Sequence, residues 1–152
     1  SPHTLSDAIF LGEFVTYIEE HRDLAPKLVL EFPLKDYMAH DAATAEALTR
    51  LLQLGVRFSI DQVDDLKLDI DAMARRGVRF VKIAASTLLN ELRLDRPNAD
   101  PRVLKDALDR AGIDLVVEKV ESESDLIELL DFQIDFGQGF LFGEPRIAKE
   151  KG

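Results

Sequence analysis

The segment Gly55-Val56-Arg57-Phe58-Ser59-Ile60-Asp61 decides the fold of this chain, because its pattern returns twice. The second copy is Gly77-Val78-Arg79-Phe80-Val81-Lys82-Ile83, and a looser third is Gly112-Ile113-Asp114-Leu115-Val116-Val117-Glu118. Each copy is a glycine that ends a helix, followed by a short apolar strand with β-branched residues. Helical patterns separate the copies, so we predict an α/β fold with a parallel sheet.

The flanking sequence continues this alternation. Apolar residues at helical spacing predict a helix that ends near Glu20, and 27–32 is predicted to be a buried strand stopped by Pro33. Further helices are predicted over 42–54, 66–76, 101–111 and 122–131, and a last strand over 139–142. Because no linker interrupts the pattern, we predict a single domain over residues 1–152.

Composition excludes several classes of function. The chain has no cysteine, and its three histidines show no zinc-binding spacing, so we expect neither disulfides nor a zinc site. A formal net charge of −10 disfavours binding to a nucleic-acid polymer. With no apolar run of membrane-spanning length and no signal peptide, we expect a cytoplasmic segment without membrane contact, alone or within a larger membrane-anchored protein.

Four predicted strands end in an ionisable residue: Glu31, Asp61, Lys82 and Glu118. Parallel α/β folds place their sites at the carboxyl ends of the strands. Three carboxylates that converge there repel one another unless a cation lies between them, and oxygen-rich clusters suit Mg²⁺, Mn²⁺ or Ca²⁺. The alternative is that these charges are simply solvated strand ends.

These residues lie in motifs that resemble the EAL domain family, the bacterial cyclic-di-GMP phosphodiesterases. Six blocks occur in family order, each beside the family motif that it resembles: Ser1–Leu5 (NLSPRSL), Leu30–Leu34 (LEITE), Ile60–Gln62 (DDFG), Val81–Ala84 (KID), Glu118–Glu121 (EGVE) and Gln138–Pro145 (QGYLFGRP). The last block is the most specific, and together they cover nearly the whole chain.

The resemblance implies a TIM-like (β/α)8 barrel of which this chain holds about the last five strands. It implies a ligand site at the mouth of the barrel, formed by Glu31, Asp61, Lys82, Glu118, Gln138, Phe142 and Pro145. It also implies that Glu31, Asp61 and Glu118 are the metal ligands if a metal is bound. Lys82 and Gln138 would position the water that attacks the phosphodiester, and Glu121 would anchor a loop.

Four departures from the family pattern count against catalysis. The second aspartate of the DD pair is Gln62, the aspartate of KID is Ala84, and the glutamate that closes LEITE is Leu34. The loop that follows is Val63–Asp69, which has neither the glycines nor the serines of the family pattern. A two-metal mechanism fails when the carboxylates of the second metal are missing, so Lys82, Glu118 and Gln138 are expected to be remnants of a catalytic site.

Three functions follow from the resemblance. The first is a non-catalytic receptor that binds cyclic-di-GMP and relays it to protein partners, with homodimerisation as an option, in motility or biofilm regulation. The alternative is a protein-interaction scaffold that no longer binds nucleotide. An active phosphodiesterase ranks third, because Gln62 would have to replace a metal-binding carboxylate. The receptor requires no cofactor, although weak binding of Mg²⁺ or Mn²⁺ is compatible with it.

Overall fold

The computed structural model describes residues 8–39, 41–94, 99–131 and 140–142; for Ala8 and for 140–142 it describes the backbone. The strands are β1 Val29–Pro33, β2 Arg57–Asp61, β3 Val78–Ala84, β4 Asp114–Glu118 and β5 Phe140–Phe142. The helices are α1 Ala8–Glu20, α2 Leu34–Ala39, α3 Ala42–Leu54, α4 Ile70–Arg75, α5 Ala85–Leu92, α6 Pro101–Ala111 and α7 Glu123–Asp131.

The strands of the described ranges form one parallel sheet in the order β1-β2-β3-β4-β5, which confirms the predicted α/β class. Each strand pairs with the next one in the chain, as consecutive strands do in a (β/α)8 barrel. The register brings the strand ends level: Pro33 is opposite Asp61, and Ala84 is opposite Glu118. The carboxyl ends of β1 to β4 therefore meet at one edge of the sheet.

Side chains of the strands alternate between two faces, and one face is mostly buried. Its residues pack with the leucines of the surrounding helices in one hydrophobic core that includes Phe32, Ile60, Ile83, Val117, Leu51, Leu88 and Leu108. The opposite face carries Glu31, Asp61, Lys82 and Glu118.

Among the helices of the described ranges, none combines the length and apolar character that a membrane span requires.

The glycines of the repeated unit have the conformation that the sequence predicts. Gly55, Gly77 and Gly112 all have positive φ angles, of 115°, 91° and 75°. At Gly77 the backbone angle favours glycine, and an added Cβ would lie 2.5 Å from Leu52 Cδ1, so this methyl group would have to move.

The structure corrects some predicted boundaries. The helix predicted over 66–76 begins only at Ile70, because Asp69 caps it by accepting a hydrogen bond of 3.1 Å from the amide of Ala72. The strand predicted from residue 27 begins at Val29, since Ala25–Lys27 forms a 3-10 turn. The short helices α2 and α5 were not predicted; each directly follows a strand with no intervening loop.

Candidate functional site

The four ionisable strand ends form one group, which we call the strand-end cluster: Glu31, Asp61, Lys82 and Glu118. The ammonium nitrogen of Lys82 lies 2.7 Å from Glu31 Oε1 and 3.9 Å from Glu118 Oε1. The carboxyl group of Asp61 lies near enough to that of Glu118 to raise the pKa of Glu118. The parallel register thus places one cation among three acids, and the positive charge of Lys82 offsets the mutual repulsion of these acids.

Ser59 supports the strand-end cluster from below. Its hydroxyl donates a hydrogen bond of 3.1 Å to Glu31 Oε1, and the two residues are register partners on β1 and β2. Ser59 is only 3% exposed, so this hydroxyl is held in a buried position. Sequence analysis missed it, although its place two residues before Asp61 puts it on the same face of β2. Glu31 is therefore fixed by two donors, Ser59 and Lys82.

The acids around Lys82 stabilise its charged form. Burial works to lower the pKa of Lys82, but the hydrogen bond and charge of Glu31, with the charges of Glu118 and Asp61, outweigh burial. The pKa of Lys82 consequently lies above its ordinary value. The lysine is therefore a permanent positive charge at neutral pH.

The surroundings of Glu118 favour its uncharged form. Burial, followed by the charge of Asp61 and the hydrogen bond with it, raises the pKa of Glu118 above its ordinary value, although Lys82 pulls in the other direction. Protonation of Glu118 is thus favoured relative to a free glutamate.

Two strained turns follow the acids of this cluster. Gln62 and Lys119, which directly follow Asp61 and Glu118, have φ angles of 52° and 57°, and no other described non-glycine residue has a positive φ. The amide of Gln62 donates a hydrogen bond of 2.7 Å to Asp61 Oδ1. The EGVE motif that this chain resembles has glycine where Lys119 stands. Non-glycine residues in this conformation are uncommon and cluster at functional sites.

The residues present do not fit a two-metal centre. Gln62 offers an amide, and Ala84, opposite Glu118 in the register, offers no ligand atom. Within the described ranges, no group of three histidine, aspartate or glutamate side chains is arranged to hold a metal ion. Lys82 instead supplies a positive charge between Glu31 and Glu118.

A cavity of about 780 Å³ opens beside the strand-end cluster. That volume falls within the range of small-molecule sites. The cationic residues of its lining are Lys35, Lys67, Arg76, Lys82 and Lys119. The anionic residues of its lining are Asp61, Asp64, Asp65, Asp69 and Glu118. Five positive and five negative charges balance, whereas the whole chain carries a formal charge of −10. The cavity is thus locally better suited to an anion than the rest of the protein.

The loop after β2 is packed despite its departure from the family pattern. Val63 and Leu66 are buried, and the amide of Val63 donates to the carbonyl of Lys82 over 3.4 Å. Leu34, which replaces the closing glutamate of LEITE, is buried at the start of α2. This loop is therefore held by apolar packing rather than by a glutamate.

The remaining predicted site residues lie apart from the cluster or outside the description. Glu121 is exposed, and within the described ranges it makes no hydrogen bond or ion pair that would anchor a loop. Phe142 is described through its backbone, which is opposite Val117 in the register of β4 and β5. Gln138 and Pro145 lie outside the described residues.

Sequence comparison connects the chain to one family. A family model for the EAL domain matches residues 1–145. The biofilm architecture maintenance protein MbaA of Vibrio cholerae is 24% identical over 144 residues, which cover 95% of this chain and 18% of that protein. The chain thus spans less than a fifth of that relative.

Solved structures share the fold. Vibrio cholerae LapD S helix-GGDEF-EAL bound to c-di-GMP superposes with a TM-score of 0.69 at 18% identity, over 89% of this chain and 33% of that one. The EAL domain of Mycobacterium smegmatis DcpA gives a TM-score of 0.59 at 23% identity, over 87% and 59% of the two chains. At these identities the likeness establishes the TIM-like barrel fold, of which the described residues supply five strands.

Proposed function

Because this chain belongs to the EAL domain family, we propose that it is part of a single degenerate EAL domain that binds cyclic-di-GMP without hydrolysing it. The dinucleotide lies across the mouth formed by the carboxyl ends of β1 to β4, and its presence is relayed to protein partners. No metal is required for this binding.

One observation carries the non-catalytic part of the proposal. The register of β3 and β4 places Ala84 opposite Glu118, so the position beside this acid offers no ligand atom for a second metal. The positions that would supply further carboxylates hold Gln62 and Ala84. Metal-activated water attack on a phosphodiester needs the cations that such carboxylates hold, so hydrolysis is not expected here.

Two further observations support binding of an anionic dinucleotide. The cavity beside the strand-end cluster has a volume of about 780 Å³ and a balanced lining, in a chain that is otherwise strongly acidic. The LapD structure, which shares the fold, is described as bound to c-di-GMP. Stacking and phosphate contacts to a dinucleotide do not require every ligand of a catalytic metal, so binding can outlast catalysis.

Equilibrium dialysis with chromatography of the recovered ligand separates the three candidate functions. The protein is dialysed against cyclic-di-GMP in Mg²⁺ or Mn²⁺, and the retained and free nucleotide are analysed. A receptor retains intact dinucleotide, and a scaffold retains none. A phosphodiesterase yields the linear product, and that yield is abolished by EDTA.

A further inference from the structure

A second, smaller cavity lies between α3 and α4, on the helical side of β1 and β2, and we call it the α3–α4 groove. One wall is a stripe of α3 formed by Ala45, Leu48 and Leu52, which lie at the spacing of a single helix face. Its floor is formed by Phe32 and Phe58, which are 0% and 3% exposed and whose ring centroids are 5.8 Å apart. The groove therefore has an apolar wall and an aromatic floor.

The two helices that line the groove differ in length. α3 has 13 residues and α4 has six, so α4 extends for about 9 Å against about 20 Å for α3. The residues ahead of α4 that sequence analysis assigned to this helix form a loop instead. The apolar stripe of α3 is thus longer than the helix beside it.

The rim of the groove has a single sign of charge. Arg75 and Arg76 line it, and none of its lining residues is acidic. Both arginines are exposed, and within the described ranges neither forms an ion pair. Two adjacent unpaired arginines contrast with a chain that carries a formal charge of −10. Charge complementarity therefore favours an acidic occupant.

The volume of the groove decides the kind of occupant. The groove measures about 230 Å³, below the roughly 300 to 1,000 Å³ of cavities that enclose small-molecule ligands. A space of this size instead matches one large side chain, and protein interfaces commonly anchor a tryptophan or tyrosine in such a pocket. A protein segment also brings acidic residues beside the anchor, within reach of the two arginines.

We propose that the α3–α4 groove is a docking site for an acidic segment of a partner protein, which inserts one bulky apolar side chain between the helices. The α3 wall receives the anchor above the buried aromatic floor, and Arg75 and Arg76 pair with flanking carboxylates. This docking does not depend on nucleotide binding, so it is tested in the absence of cyclic-di-GMP.

The probe is a blocked synthetic peptide with one tryptophan between two pairs of glutamates, titrated into isotope-labelled protein and followed by amide chemical shifts. Shifts should concentrate in α3, the start of β2 and the end of α4. Replacement of the tryptophan by alanine, or of the glutamates by lysines, should weaken binding by at least about tenfold.

Arg75→Glu is the sharpest variant, because Arg75 lines the groove but not the larger cavity, whereas Arg76 lines both. It should weaken peptide binding by at least about tenfold. Arg110→Glu makes the same charge change at an exposed position on α6 and should leave binding unchanged. Arg75→Lys, which keeps the charge, should retain most of the affinity.

Three results would overturn the assignment. The first is the absence of shifts in the groove at millimolar peptide. The second is equal weakening by Arg75→Glu and Arg110→Glu, which would indicate general charge attraction. The third is a set of concentration-dependent shifts in the groove without peptide that Arg75→Glu abolishes, because the occupant would then be a second copy of this chain.

Discussion

Lys82 on β3 pairs with Glu31 on β1 across the intervening strand β2, with 2.7 Å between Nζ and Oε1. The pair bridges two strands that do not contact each other through hydrogen bonds in the sheet. Ser59 of β2 lies beneath it and donates to the same Glu31 oxygen. A lysine held between two acids in this way is a fixed positive charge at the mouth.

Lys82→Ala should weaken cyclic-di-GMP binding. A charged contact of this kind contributes roughly 1.5–3 kcal/mol, so the dissociation constant should rise about tenfold to a hundredfold. Calorimetry gives the constant, and circular dichroism confirms that the fold is intact. Lys27→Ala removes the same charge at an exposed residue before β1 and is the matched control. Equal affinities of wild type and Lys82→Ala for cyclic-di-GMP would show that Lys82 does not contact the ligand.

Glu118→Gln should raise the free energy of unfolding at neutral pH. The pKa of Glu118 is raised in the folded protein above its ordinary 4.5, so the folded state binds more protons than the unfolded state. Wild-type stability therefore falls as pH rises from the ordinary pKa to the raised one. Glutamine has no charge, so the variant should not lose stability as pH rises. Below the ordinary pKa the variant should have no advantage over wild type, because Glu118 is uncharged there in the folded and the unfolded state.

Urea denaturation at about pH 4 and about pH 7 measures the effect of Glu118→Gln. Glu46→Gln, at an exposed position on α3, is the control and should change stability little at either pH. A Glu118→Gln protein that is less stable than wild type at neutral pH would show that the attraction to Lys82 outweighs burial and the repulsion of Asp61.

Lys119→Gly should stabilise the protein by about 1 kcal/mol, because glycine adopts the left-handed conformation at φ 57° without steric cost. Lys67→Gly is the matched control: Lys67 is an exposed lysine of the loop after β2, without a positive φ. There the glycine should destabilise the protein by roughly 0.5–1 kcal/mol through the entropy of the unfolded chain. If both variants are destabilised equally, the turn after Glu118 is not strained.

Gln62→Asp combined with Ala84→Asp should not restore hydrolysis of cyclic-di-GMP. The double variant returns the two missing carboxylates, but the loop Val63–Asp69 is still held by Val63 and Leu66 and lacks the family glycines. Chromatography of the nucleotide in Mn²⁺ measures the outcome for wild type and variant together. Steady formation of linear product by the double variant, sensitive to EDTA, would show that the two carboxylates alone are decisive.

Sequence patterns predicted those parts of the fold that local chemistry controls. The glycines that end α3 and α6 and the Asp100-Pro101 start of α6 act within a few residues, so the bounds of both helices were predicted correctly. Four apolar runs end in an acidic or basic residue, and this pattern correctly predicted that the four side chains lie together at the carboxyl ends of the strands. The strands are parallel because strands and helices alternate along the chain.

Tertiary contacts explain what sequence analysis missed. The bond from Ser59 to Glu31 joins residues 28 positions apart, and nothing local marks Ser59 as more than a strand residue. Helix α4 begins late because Asp69 caps it and Leu66 packs into the core from the loop before it, and a helical pattern alone does not show either contact. The roles of Gln138 and Pro145 remain predictions, since both lie outside the described residues.

Isothermal titration of cyclic-di-GMP into the protein, in Mg²⁺ and in EDTA, tests the central claim most directly. We predict binding of equal affinity in both buffers, because Lys82 supplies the positive charge at the mouth. Asp61→Asn should leave that affinity unchanged or raise it, since it removes a negative charge that no metal offsets. Loss of binding in EDTA and in Asp61→Asn would instead show a metal bridge, and no binding in either buffer would contradict the receptor function and leave the scaffold.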